Sequence, residues 1–167
     1  MKIIFLFLFV TIILTTAYNQ QWKELGSGLN GPVSKILSYD NKLVVKGSFT
    51  EAGGNPAWHI AFWDGATWSG PGAASIYIKD IVVKNDTLFG CGDYGIYYWN
   101  DPLWNLYLPL DTVQFSDDME MVVFQNEIYL HWNYNINDYL YKVFPDSLEQ
   151  LTSSPNGVIA DMCVYND

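Results

Sequence analysis

The sequence predicts an all-β fold, a partial β-propeller built from four-stranded antiparallel blades of about 40–45 residues. Three observations predict it. A module of two strand-like runs around a polar turn returns three times, at Leu37–Val44, Val82–Phe89 and Val122–Tyr129. Paired tryptophans stand five positions apart across turn residues, Trp63 with Trp68 and Trp99 with Trp104. After residue 17 no segment shows apolar residues at helical spacing over a useful length.

The elements follow in order. Met1-Lys2 is followed by an almost wholly apolar run, Ile3–Leu14, and then by Thr15-Thr16-Ala17. One basic residue, a short apolar core and small residues at a cleavage point read as a secretory signal peptide over 1–17. The run is shorter than the ~20 residues a membrane span needs, so no span is expected once the signal is removed. The mature portion, 18–167, is expected to be secreted or held at the cell surface. Its first piece, 20–25, carries Trp22-Lys23-Glu24-Leu25 and resembles an outer strand without its hairpin; it is expected to close the ring as an outer strand.

The first copy spans about 26–68. Val33–Tyr39 alternates, Asp40-Asn41 is a turn pair, and Lys42–Gly47 is a short β-branched run. The second copy, about 69–104, repeats the turn with Asn85-Asp86, and the third, about 105–151, with Gln125-Asn126. Leu43 to Leu88 is 45 positions and Leu88 to Ile128 is 40. Asp-Gly or Asn-Asp-Pro between the paired tryptophans makes each hexad a tight hairpin with a ring on either side. Asp111–Met121 has the nearest approach to a helical pattern and is assigned to loop and strand. An incomplete fourth copy, 152–167, begins the same pattern at Asp161-Met162-Cys163 and stops at its turn. About three blades are expected from a longer ring; an open three-sheet structure and ring completion by self-association are the alternatives.

Composition narrows the function. The chain has 18 acidic residues against 8 basic ones, all lysine, for a formal charge of −10. An acidic chain without arginine repels phosphate backbones, so nucleic acid is an unsuitable partner. Cys91 and Cys163 fall in different copies, too far apart for a bridge, and are expected to be free, buried thiols. Aromatic residues make up 17% of the chain, and rings at equivalent repeat positions (Trp22, Trp63, Trp68, Trp99 and Trp104) are assigned to structure.

The first copy carries a resemblance. Leu43-Val44-Val45-x-Gly47-x-Phe49-x-x-Ala52-Gly53-Gly54 followed by Ile60-Ala61-x-Trp63-Asp64-Gly65-x-x-Trp68 resembles the kelch-like propeller repeat of secreted bacterial surface proteins, seen also in fungal cortical marker proteins. The resemblance is specific over Trp22–Trp68, fair to Trp104 and weak beyond, and Lys46 departs from its first glycine. It implies a propeller scaffold; such proteins share no single activity, so function does not carry over.

No catalytic constellation is visible. Sialidases grip a carboxylate with arginines, which are missing here, and Asp64–Trp68 is one residue short of an Asp-box. Copper oxidases of kelch type need two His and two Tyr near a Tyr–Cys pair, whereas His59 and His131 fall in different copies and are expected at strand edges. Gly53-Gly54-Asn55-Pro56 lacks a phosphate loop's Lys and helix, and Asp117-Asp118 with Glu120 lacks the glycine of a calcium loop. Neither metal nor cofactor is implied. The loops joining second to third strands should share one face, and their residues are the candidate ligand contacts: Glu51, Asn55 and Trp58 in copy one, Asp93 and Tyr94 in copy two, and Trp132, Asn133, Tyr134, Asn135 and Asp138 in copy three. Rings and amides suit an extracellular protein or a glycan. The sequence thus points to an exported, non-catalytic binding scaffold. A hydrolase or lyase with part of its site elsewhere, and a degenerate remnant, are the alternatives.

Overall fold

The structure is a computed structural model that describes residues 23–71, 76–92, 94–110, 119–134, 137–151 and 159–164, with Tyr134 and Asn137 described in backbone only. Among these residues every regular element is a strand. Three four-stranded antiparallel sheets follow one another along the chain. Sheet one holds β1 (Val33–Tyr39), β2 (Lys42–Gly47), β5 (Ile60–Trp63) and β6 (Trp68–Ser69), in that spatial order. A small hairpin, β3 (Glu51–Ala52) with β4 (Asn55–Pro56), is inserted between its second and third strands. Sheet two is β7 (Ile78–Lys84), β8 (Thr87–Gly92), β9 (Gly95–Asn100) and β10 (Leu103–Pro109). Sheet three is β11 (Met119–Phe124), β12 (Glu127–Tyr134), β13 (Asn137–Val143) and β14 (Leu148–Gln150).

The polar turn pairs fix these registers. Asp40-Asn41, Asn85-Asp86 and Gln125-Asn126 all have positive φ, between 47° and 62°. Two successive left-handed residues make a type I′ turn, whose twist matches that of the strands it joins. Asn and Asp adopt it readily; Gln125 is the poorer choice. The registers then run in step: Tyr39 faces Lys42, Lys84 faces Thr87, and Phe124 faces Glu127.

Alternation sends successive side chains to opposite faces, and the sheets stack through them. Val44, Ile60 and Phe62 of sheet one meet Ile78, Ile81, Leu88, Tyr97, Trp99 and Trp104 of sheet two. On the other side of sheet two, Phe89, Cys91, Ile96 and Leu108 meet Met121, Ile128, Leu130 and Trp132 of sheet three. The remaining face of sheet one is covered by its own chain: Leu29, Phe49, Ala52 and Ala57 pack on Val45, Ala61, Trp63 and Trp68.

Trp63 and Trp99 occupy matching places. Trp63 lies opposite Trp68 with ring centroids 5.2 Å apart, and Trp99 lies opposite Trp104 at 5.3 Å. Asp64 ties the first hairpin: its carboxylate accepts from the N–H groups of Thr67 and Ala66 at 2.7 and 2.8 Å and from the Thr67 hydroxyl at 2.9 Å. These donors, the Thr67 amide first, hold its carboxyl below the usual range. The third copy keeps the hairpin without the rings, with Val143 opposite Leu148.

Several expectations need correction. Lys23–Leu25 forms no strand; the Leu25 carbonyl instead accepts from Trp68 Nε1 at 2.7 Å. The third connection is no loop from 132 to 138, because β12 runs to Tyr134 and β13 starts at Asn137. The run Trp132-Asn133-Tyr134 alternates, and alternation extends the strands. Both cysteines are free, but only Cys91 is buried; Cys163 is exposed, on a segment without strand pairing among the described residues. Residues 1–17, Trp22, Asp93, Asn135 and most of 152–167 lie outside the described residues.

Candidate functional site

In each sheet the second-to-third connection leaves from the end at which the first strand begins. There the chain makes its closest approaches. A Cβ on Gly47 would stand 2.1 Å from the Pro32 carbonyl oxygen, and one on Gly92 2.6 Å from that of Tyr77. Opposite these glycines β1 and β7 each carry a bulge, between Val33 and Lys35 and between Ile78 and Asp80. Bulges re-aim side chains and concentrate beside functional sites. The extra residues are Ser34 and Lys79, and both line one cleft.

That cleft, about 630 Å³, opens among the starts of the first strands. Three of its charged residues come from a single repeat position, and Lys46 and Lys79 add to them. Lys35, Asp80 and Glu120 each stand four residues before the end of their first strand. Asp161 lines the cleft beside them. Each of the three faces a second-strand residue in register: Lys46, Cys91 and His131.

The contacts step from sheet to sheet. Lys35 Nζ donates to Asp80 Oδ2 at 2.7 Å and to the Met121 carbonyl at 3.4 Å. Asp80 Oδ2 also accepts from the Met121 N–H at 2.8 Å. Asp80 is buried, 6% exposed, so its carboxylate needs these donors; losing them would leave an unpaired charge in a poorly solvated place. Glu120 bonds the Asp161 side chain. Its carboxyl is pushed up to about 7, by burial first, then by the Asp161 bond and charge and the Asp80 charge, with Lys35 opposing. Glu120 therefore keeps its proton close to neutrality, as a buried carboxyl beside like charges does.

Across the strand from Glu120, His131 contributes to the cleft from the middle of sheet three. It does not sit at a strand edge, because both β11 and β13 flank it. Its Nε2 bonds Asp138 Oδ1 at 2.8 Å, with both side chains buried, and Asn133 Nδ2 donates to the same oxygen at 3.2 Å. Among the described residues Asp138 Oδ2 has no hydrogen-bond partner. His59, at φ 64°, bonds the Gly47 carbonyl at 3.0 Å and packs edge-on to Tyr77. Among the described residues no group of three or more His, Cys, Asp or Glu side chains is placed to hold a metal ion.

The candidates named from sequence lie elsewhere. Glu51 and Asn55 are exposed on β3 and β4, and Trp58 is 48% exposed beyond them. Asn30 anchors that insertion by accepting from the N–H groups of Thr50 and Glu51. Tyr94 is 77% exposed. Trp132 is a core residue stacked on Tyr141 at 4.2 Å, and Asp138 is the buried partner of His131; neither is on a loop. Asn133 serves Asp138. None of these residues lines the cleft. The missed residues had a signal: in the three copies the position five before the turn pair is Lys, Asp and Glu, a charge at the same place in every first strand.

No protein-family model, curated protein or solved structure matches this chain. No helix among the described residues is long and apolar enough to cross a membrane.

Proposed function

We propose that the chain is an exported β-propeller-type scaffold, kelch-like in its repeat, that binds an extracellular protein or glycan at the cleft rather than through its loops. On this reading the three sheets are consecutive blades, 159–164 is the innermost strand of a fourth, and residues 1–17 are a signal peptide. One observation carries the reading: a single repeat position supplies Lys35, Asp80 and Glu120 to one concave site, with Ser34 and Lys79 aimed there by matched bulges. Concave sites with a few convergent polar groups are the usual place for ligands.

The test is a glycan array and an extracellular-protein pull-down with the full chain and with Ser34→Trp, which fills the cleft from an exposed position. Retention by the parent and loss in the variant, with unchanged β-type circular dichroism, is the expected outcome. Binding that survives Ser34→Trp, or no binding by the parent, overturns the reading.

The Glu120–Asp161 acid pair beside the His131–Asp138 pair favours a second reading, a hydrolase or lyase. A carboxyl poised near neutrality suits proton transfer. Turnover of chromogenic glycosides that disappears in Glu120→Gln would establish it; inert substrates remove it.

A further inference from the structure

We infer that the cleft takes a carboxylate-bearing ligand, seated on the Lys46 ammonium beside Glu120 and Asp161. This rests on the cleft being the binding site.

The reason begins with a like-charge pair. Lys35 and Lys46 stand directly opposite each other across β1 and β2. Facing like charges in an antiparallel ladder destabilise it. Among the described residues only one of the two is neutralised: Lys35 by Asp80. Lys46 is half-buried in the cleft wall, and no carboxylate among the described residues reaches it. Acids outnumber lysines 18 to 8 in this chain, so an unpaired, partly buried ammonium beside a second lysine is not for want of acids. An anion from outside removes both the repulsion and the missing partner.

The opposite wall selects the kind of anion. Below about pH 7 Glu120 keeps its proton, so the wall facing Lys46 carries one negative charge fewer and admits a singly charged carboxylate. Neutral sugars would leave Lys46 unpaired, and a phosphate dianion would be repelled by Asp80 and Asp161 more strongly than a singly charged carboxylate. The groups facing Glu120 are Asp161 on the 159–164 segment, Lys79 and Asp80 on β7, Lys35 and Lys46 on β1 and β2, and His131 on β12. As pH rises through about 7, Glu120 loses its proton, so a further negative charge repels the ligand.

Isothermal titration of the full chain with sodium glucuronate, sodium succinate and glucose tests this, at pH 6 and pH 8.5. Heat of binding is expected from at least one carboxylate at pH 6 and none from glucose. Lys46→Met should weaken it by about tenfold or more, the loss of one charge-assisted bond, and Lys46→Gln checks that the loss does not come from misfolding. Raising pH should weaken binding in the parent and much less in Glu120→Gln. Stronger binding of glucuronate identifies a sugar acid; stronger binding of succinate identifies a small organic acid. Failure of both carboxylates, or full affinity in Lys46→Met and Lys46→Gln, overturns the inference. In that event a neutral glycan that Ser34→Trp abolishes leaves the cleft as the binding site, whereas binding indifferent to Ser34→Trp removes that reading as well.

Discussion

Sheets one and two are built alike, and sheet three departs from them at two places. The first is the start of the ladder. Gly47 and Gly92 sit at the same repeat position, each opposite a bulge, while sheet three has Trp132 there and a ladder without a register shift. The second is the third-to-fourth hairpin, where rings give way to Val143 and Leu148. The two changes compensate. Trp132 stacks on Tyr141 within the core shared with sheet two, so the large ring has moved from the hairpin to the strand. Turn geometry and alternation set the sheet; where the bulky side chain enters is open to exchange.

The difference can be tested by removing the rings. Trp99 is 7% exposed and stacks on Phe62 at 5.0 Å across the boundary between sheets one and two. Trp99→Ala should destabilise by about 4 kcal/mol, a ring-sized cavity, and Val143→Ala by about half that. Trp132→Ala should match Trp99→Ala. Chemical denaturation measures all three; equal costs for Trp99→Ala and Val143→Ala would break the comparison.

Close backbone approach comes next. Gly47→Ala and Gly92→Ala each press a methyl group against a carbonyl oxygen, at 2.1 and 2.6 Å before relaxation. Each should lose about 2 kcal/mol through overpacking, Gly47→Ala the more. A neutral result at either position would show that the bulge is not held by that contact.

A smaller contrast separates the equivalent tryptophans of β6 and β10. Trp68 Nε1 donates to the Leu25 carbonyl, whereas the buried Nε1 of Trp104 has no partner. An unpaired buried donor is expensive, and removing it is nearly neutral. Trp68→Phe should therefore lose about 1 kcal/mol more than Trp104→Phe beyond the change in ring size. The reverse order in thermal melts would contradict the packing described for residues 23–25.

Least in size is a pH effect. Folding raises the Glu120 carboxyl from 4.5 to about 7, so the folded chain holds more protons than the unfolded one between those values. Stability from this group is complete below about 4.5 and declines as pH rises towards 7. The melting temperature of the parent should fall from pH 5 to pH 8 more steeply than that of Glu120→Gln. Parallel profiles would show that Glu120 titrates alike in both states.

Much of this architecture was legible. The turn pairs Asp40-Asn41, Asn85-Asp86 and Gln125-Asn126 mark three hairpins because few residues accept two left-handed conformations in succession, and the tryptophan spacing marks two more. The third Val143–Leu148 hairpin was silent, since its aliphatic pair has no signature of its own. The site was largely illegible. Rings and amides favour the loops, yet Trp132 and Asp138 are strand residues whose neighbours across the sheet decide their burial. Lys35, Asp80 and Glu120 become a site only when the first strands of successive sheets are brought side by side, and a charge repeated from copy to copy does not by itself say that those strands meet.

That adjacency is the centre of the account, and a double-mutant cycle on Lys35 and Asp80 measures it. Lys35→Met, Asp80→Asn and the double variant, compared by denaturant unfolding, should show a coupling above about 1 kcal/mol, as residues in direct contact do. Additivity to within about 0.3 kcal/mol would mean that the first strands of sheets one and two do not meet, and the shared cleft would go with them.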